Sequence, residues 1–296
     1  MSVLVTGANG FIGRHLVKRL KKARRRVVSF DRKPNKYDAC FLGDITTFNF
    51  DSILGDVETV YHLAGLLGTT ELFSRVLEAE KVNVFGTLNL LEAMRRKDVN
   101  KIVFTSKPNM WKHNVYTITK ENCERYLAMY REVYGFKTIV VRPFNVYGPN
   151  EPLEEYRKAI PYFIVSALRN EPLEVFGSGD QTMDAIYVDD VVEALLLCEE
   201  KEPEETVEIG TGDPIKVKDL AEKIIHMTNS KSRVVYLKMR PGEPPDSFVQ
   251  ANGNMLHLIG YKPNVGLEVG LRKTIDWYSE NLSEFEEIYN PHKVLV

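Results

Sequence analysis

Tyr116 and Lys120 stand four positions apart in the stretch FTSKPNMWKHNVYTITK. On a helix they share one face, one turn from each other. A free phenol, with a pKa of about 10, is a poor base at neutral pH, but a neighbouring ammonium favours its ionised form. Lowering that pKa by about three units takes roughly 4 kcal/mol of differential interaction. A tyrosine so tuned can take the proton of an alcohol while the carbon is oxidised. A hydroxyl at the end of the preceding strand-like run, KIVFTS, would assist it. Ser106 offers one, ten positions before Tyr116, yet Lys107 and Pro108 follow at once. Three arrangements are open: Ser106 is the assisting hydroxyl, Lys107 replaces it as a cationic donor, or the site is impaired. Ten residues suffice to turn from a strand end into the next helix.

These residues need a scaffold, and the first half of the chain supplies its pattern. Short apolar runs at 2–7, 26–31, 59–65, 101–106 and 138–144 alternate with helical stretches at FIGRHLVKRLKKA, about 72–96 and 116–134. Continuous β-branched runs predict strands covered on both faces, and repeated βαβ units predict a parallel, doubly wound α/β sheet. The loop TGANGFIG joins the first strand to the first helix, with glycines at 7, 10 and 13. A pyrophosphate must lie against backbone N–H groups at a helix N-terminus, where a Cβ would hold it away. Gly13 would also let the helix approach the sheet. Asp31 closes the second strand, 24 positions after Gly7. A carboxylate there accepts from ribose hydroxyls and repels a 2′-phosphate, which favours NAD over NADP, although Arg32 and Lys33 beside it pull the other way.

After Gly148-Pro149 the rhythm breaks into charged, proline-rich segments such as NEPLEEYRK and MRPGEPPDS. The expected division is a Rossmann-type NAD-binding domain over 1–149 and a smaller α/β substrate-binding domain over 150–296. Segments near 182–200 and 206–211 are expected to return to the first. With 296 residues, 44% of them hydrophobic and 27% charged, the chain can bury a sizeable core. Its net charge of -2 gives no electrostatic case for nucleic acid or an anionic membrane. The basic run KRLKKARRR (18–26) reads as the solvated end of a helix. Three scattered cysteines, with no C-x-x-C, suggest reduced thiols and no metal site. No run approaches the length of a membrane span, and the opening residues already read as a strand, so a cytoplasmic protein is expected.

Taken in order, TGANGFIG, GDIT (43–46), HLAG (62–65), NVFGTLNLLEA (83–93), YTITK, RPFNVYGP (142–149), GSGDQTMDAIYVDDVVEA (177–194), RPGEPPD (240–246) and LIGYKPNVGLEVGL (258–271) resemble the extended short-chain dehydrogenases. Within that group the chain is similar to the NAD-dependent nucleotide-sugar epimerases and dehydratases. The resemblance implies that Phe11 and Ile12 meet the pyrophosphate, and that Asp44 and Ile45 flank the adenine. It places Leu63, Ala64 and Gly65 along the cofactor, Asn83 near the nicotinamide, and Phe144 and Asn145 at the junction with the sugar. Phe176 would stack on the nucleobase, Arg240 would pair with the diphosphate, and Asp246 would orient that arginine or the ribose. The bland alternatives are a turn or cap at Asp44 and core packing for Leu63, Ala64, Phe144 and Phe176.

Two departures stand out. Similar proteins carry Ser or Thr where this chain has Lys107, and an arginine where QTMD has Met183. The loop before Tyr116 is also shorter than usual, which should widen the mouth. The resemblance implies 4-epimerisation of a nucleotide-linked hexose by transient oxidation at C4. The acidic pair that performs elimination in the dehydratases is replaced here by Lys107-Pro108-Asn109. A 4-ketosugar reductase or dehydratase is the enzymatic alternative, and a non-catalytic NAD-binding sensor the alternative of another class. Helices near 72–96 and 116–134 often pair across a two-fold in similar proteins, so a homodimer is expected.

Overall fold

Seven parallel strands form the central sheet, in the order Val207–Ile209, β6 (Lys137–Pro143), β5 (Lys101–Thr105), β4 (Val57–His62), β1 (Ser2–Thr6), β2 (Arg26–Asp31) and β3 (Phe41–Leu42). The computed structural model describes residues 2–34, 40–153, 156–244 and 247–285. Alternate residues of each strand feed opposite layers. Val3, Val5 and Val103 join a cluster with α1 (Phe11–Lys22) and the helix Val188–Lys201. Leu4, Ile102 and Phe104 face the other way, onto α3 (Gly86–Arg96) and α4 (Val115–Tyr134). The chain winds outward in both directions from β1 and β4, so their carboxyl ends open a crevice at the switch point.

Differences from the sequence pattern have local causes. The strand read at 59–65 runs over 57–62; Leu63 still donates its N–H to Thr6 O at 3.2 Å, and the chain then leaves the sheet. β3 carries no buried-strand signal because Phe41 and Leu42 are both exposed. The helix before β5 begins as α2 (Val76–Ala79), widens into a π-turn over Glu80–Phe85 and continues as α3. The basic run is not simply solvated: Arg19 pairs with Glu193, and Arg25 pairs with the carboxylate of Glu199 that also takes the Tyr61 hydroxyl. These contacts tie the end of α1 to the helix Val188–Lys201.

The remaining segments pack beside the sheet. Asn145–Tyr147 pairs with Ala185–Tyr187, Thr182–Met183 with Ile215–Lys216, and Leu173–Phe176 with Val234–Leu237. Helices Ala159–Leu168, Val217–Met227 and Leu267–Glu280 enclose a second apolar core around Phe163, Ile164, Leu220, Leu271 and Tyr278.

Candidate active site

Helix α4 sets Tyr116 and Lys120. Asn114 caps it, accepting the Thr117 N–H at 2.9 Å, and Gly135 ends it in the left-handed conformation, φ 70°. Lys120 is 3% exposed; its ammonium donates to Thr105 O at 2.9 Å and lies 4.6 Å from the Phe104 ring centre. It is 5.9 Å from the centre of the Tyr116 ring, and a Cβ at Gly65 would lie 3.5 Å from it. Burial lowers the affinity of this amine for its proton and raises the pKa of the Tyr116 phenol. In the chain alone burial, with Tyr156 and Cys123 nearby, favours the neutral phenol.

Ser106 and Lys107 part company. Ser106 is buried, donates its N–H to Val141 O at 2.8 Å, and its hydroxyl has no hydrogen-bond partner among the described residues. Lys107 instead closes the short loop: its ammonium donates to Asn109 O (3.2 Å) and Thr117 Oγ1 (3.0 Å). Asn109 stands at φ 59° and its carbonyl also takes the Lys112 N–H, which folds the loop into a tight turn. Burial, helped by Lys112 and Arg142, pushes the Lys107 ammonium down to about 7.

A polar chain runs under the crevice. Thr6 Oγ1 meets His62 Nδ1 at 2.7 Å, and His62 Nε2 meets Thr87 Oγ1 at 2.9 Å. Thr87 donates to Asn83 O. Asn83 takes the Leu66 N–H at 2.7 Å and donates to Leu66 O and Thr119 Oγ1. Thr119 closes the chain on Tyr116 O. Burial drives His62 down to about 3, so its imidazole is neutral; because the Thr87 hydroxyl donates to Asn83 O, the tautomer that fits carries its proton on Nε2 and accepts from Thr6 at Nδ1. Strand ends of β1 and β4, the π-turn and α4 are thus locked together.

The glycine loop fits a dinucleotide. Gly7 lies at φ 70°, where a Cβ would be 2.8 Å from Ala64 N, and at Gly13 a Cβ would be 2.0 Å from Gly7 O. No side chain caps α1 at the exposed Gly10, beside which only Gly7 O approaches a built Cβ. Phe11 is buried and Ile12 half-buried at this first turn. Asp31 accepts Asn9 N–H at 2.9 Å and Lys33 N–H at 2.8 Å, binding the glycine loop to the end of β2 with Arg32 exposed next to it. Leu63, Ala64 and Gly65 are half-buried along the crevice. Asp44 forms a turn, accepting both Thr46 N–H and Thr46 Oγ1, and Ile45 packs against Gly86. Phe144 is buried with Val249 and Ala251, whereas Asn145 is exposed.

Across the crevice the Arg240 guanidinium lies 4.8 Å from the Phe176 ring centre and pairs with Glu243 at 2.7 Å, while its Nε has no partner among the described residues. Met183 belongs to the apolar core of that half. Asp246 lies outside the described residues. Two groups escaped the sequence reading: Tyr156, hydrogen-bonded with Thr69, and Lys112. Neither has a motif; each is recognisable only from what surrounds it.

A profile described as the NAD dependent epimerase/dehydratase family matches residues 3–210. Human dTDP-D-glucose 4,6-dehydratase is 31% identical over 327 residues, covering 97% of this chain and 92% of that protein. The Thermotoga maritima UDP-glucose 4-epimerase, solved with UDP-glucose, superposes with a TM-score of 0.89 at 29% identity, covering 95% of this chain and 100% of that one. The UDP-glucose 4-epimerase of Thermus thermophilus, in complex with NAD, gives a TM-score of 0.86 at 26% identity, covering 94% of this chain and 99% of that one.

Proposed function

The chain belongs to the NAD-dependent epimerase/dehydratase family of nucleotide-sugar enzymes, and from that premise we propose that it is a nucleotide-sugar 4-epimerase. The observation that carries this reading is the constellation at the end of β5: a buried Lys120 beside Tyr116, with the free hydroxyl of Ser106 one residue beyond the strand. Tyr116 takes the proton of the C4 hydroxyl, Ser106 donates to the same oxygen, and Lys120 stabilises the phenolate and holds the cofactor ribose. NAD held beside them would supply the hydride acceptor for C4 and the hydride donor for its return to the opposite face of the ring. Gly7, Gly10, Gly13 and the first turn of α1 hold the pyrophosphate, and Asp31 holds the adenosine ribose. Phe176 and Arg240 take the nucleotide, so residues 1–149, with 182–200 and 206–211, serve the cofactor and most of 150–296 serves the sugar nucleotide.

The human relative acts as a dehydratase, which favours elimination as the second reading. Against it, residues 107–114 contain no carboxylate to act as the required acid or base. Retention of the cofactor separates these from a reductase. We expect the purified protein to carry NAD and to interconvert a UDP-, dTDP- or GDP-linked hexose with its C4 epimer without added nicotinamide, followed by chromatography of the products. Stoichiometric consumption of NADH, or a dehydrated product, would replace the epimerase.

In this reading the enzyme is a cytoplasmic homodimer. Leu77, Phe85, Ile118, Val133 and Tyr134 lie exposed on the segments before and within α3 and α4, which supports self-association through those helices. Sedimentation should give twice the chain mass of 33.9 kDa, and Val133→Glu should shift the protein toward monomer. A wild-type protein that sediments as a monomer would rule this out. No described helix is long and apolar enough to cross a membrane.

A further inference from the structure

Two residues of the sequence motifs remain without a task. His62 opens HLAG, and Thr87 lies in NVFGTLNLLEA, yet each is only 1% exposed and neither reaches the surface of the crevice. They meet in the middle of the polar chain. His62 Nε2–H donates to Thr87 Oγ1 at 2.9 Å, and the Thr87 hydroxyl donates to the Asn83 carbonyl at 2.5 Å. The Cys123 thiol reaches the same carbonyl at 3.2 Å.

That carbonyl belongs to the π-turn, where Gly86 N–H bonds to Lys81 O, five residues back instead of four. Such a turn is rare, and side chains from β4, α3 and α4 fasten this one. Its position aims the Asn83 side chain. The amide oxygen accepts Leu66 N–H at 2.7 Å, and the nitrogen donates to Leu66 O at 3.1 Å and Thr119 Oγ1 at 3.0 Å. Thr119 then donates to the Tyr116 carbonyl at 3.0 Å. A Cβ at Gly65 would lie 3.3 Å from Asn83 Oδ1 and 3.5 Å from Lys120 Nζ, so amide and ammonium converge on one point.

Each hydroxyl in the chain accepts one bond and donates another. Thr6 accepts Ala64 N–H and donates to His62, and Thr87 accepts from His62 and donates to Asn83. Turning the chain round would take the Thr87 hydroxyl from Asn83 O and leave Thr6 with no acceptor, an unfavourable outcome for buried polar groups. A displacement at Thr87 therefore passes to Asn83 and on to Tyr116.

We propose that Thr87, supported by His62, is a positioning residue for proton transfer: it fixes the π-turn so that Asn83 and Thr119 hold Tyr116 in its working pose. This rests on Tyr116 being the proton-transfer group, as read above.

The test uses the nucleotide-linked hexose that the wild type converts, with UDP-glucose as the first probe. Thr87→Val keeps the side chain's volume and removes its hydroxyl. It should lower kcat about tenfold with KM and NAD retention unchanged, and Thr87→Ser should restore most of the rate. Tyr116→Phe combined with Thr87→Val should be no slower than Tyr116→Phe alone, because the threonine acts through the phenol. Hydrogen exchange, which needs no substrate, should show the Leu66 amide opening about tenfold faster in Thr87→Val. If that variant does not fold, Thr119→Val breaks the chain at its last link and carries the same expectations for rate. Wild-type kcat in the valine variant overturns the proposal and leaves Tyr116 as the base. So does a loss confined to KM or NAD retention, or a further tenfold drop in the double variant. An unslowed Tyr116→Phe removes the proton-transfer assignment, and the positioning role falls with it. If the wild type converts no nucleotide-linked hexose, the epimerase reading fails and takes the proposal with it.

Discussion

Tyr116→Phe should lower kcat by at least about 10²-fold, the usual worth of a positioned proton-transfer group. The substitution keeps the ring, which packs against Leu72, Ala79 and Val115, so the fold and the helix cap at Asn114 should survive. Only the phenolic oxygen is lost. Burial holds that phenol above its usual pKa, and a loss of rate would assign the proton transfer to its oxygen. Two companions sharpen the result. Ser106→Ala should cost about tenfold or more in kcat by removing the unpaired hydroxyl. Lys107→Met should loosen the turn it holds to Thr117 and lower the Tm. Unchanged turnover in Tyr116→Phe would remove Tyr116 from the proton transfer, whereas NAD binding without any turnover in the wild type would leave a cofactor sensor.

Gly13→Ala should abolish stable NAD retention and destabilise the fold by about 1–3 kcal/mol, the range for overpacking a close contact. A Cβ at this position would stand 2.0 Å from Gly7 O, 2.9 Å from Gly7 C and 3.0 Å from Ala8 Cα. All three are backbone atoms, so no side chain can swing aside. Relief must come from moving either α1 or the glycine loop, and each movement displaces the N–H groups meant for the pyrophosphate. Loss of the nicotinamide absorbance from purified Gly13→Ala, together with a lower Tm, is the expected pair of readings. Full NAD occupancy in this variant would mean that the dinucleotide lies elsewhere.

The sheet was legible because its signals are local. Runs such as SVLVTG and KIVFTS carry β-branched residues on both faces, and three spaced glycines mark the turn between strand and helix. The position of Tyr116 and Lys120 on one helix followed from spacing alone. What escaped depended on distant partners. Whether Ser106 or Lys107 offers a free group was undecidable until Thr117 and Asn109 appeared around the lysine. Arg25 read as a solvated cation because Glu199 and Tyr61 lie far away in sequence. Asp44 carries a short-range turn signal that competes with a binding role, and the turn it forms is visible. Lys112 and Tyr156 have no spacing to betray them.

The widened turn at Glu80–Phe85 divides one helix between two masters. Such a turn is equivalent to one residue inserted into α-helical rhythm. Upstream of it, Ala79 belongs with Leu72 and Val115 at the rim of the crevice; downstream, Leu90, Leu91 and Met94 belong to the sheet's interior. Shortening the segment by a single residue would swing the rim through roughly 100° against the interior, carrying Asn83 away from Leu66 and Thr119. The length of this stretch is therefore as much a part of the chemistry as any side chain on it.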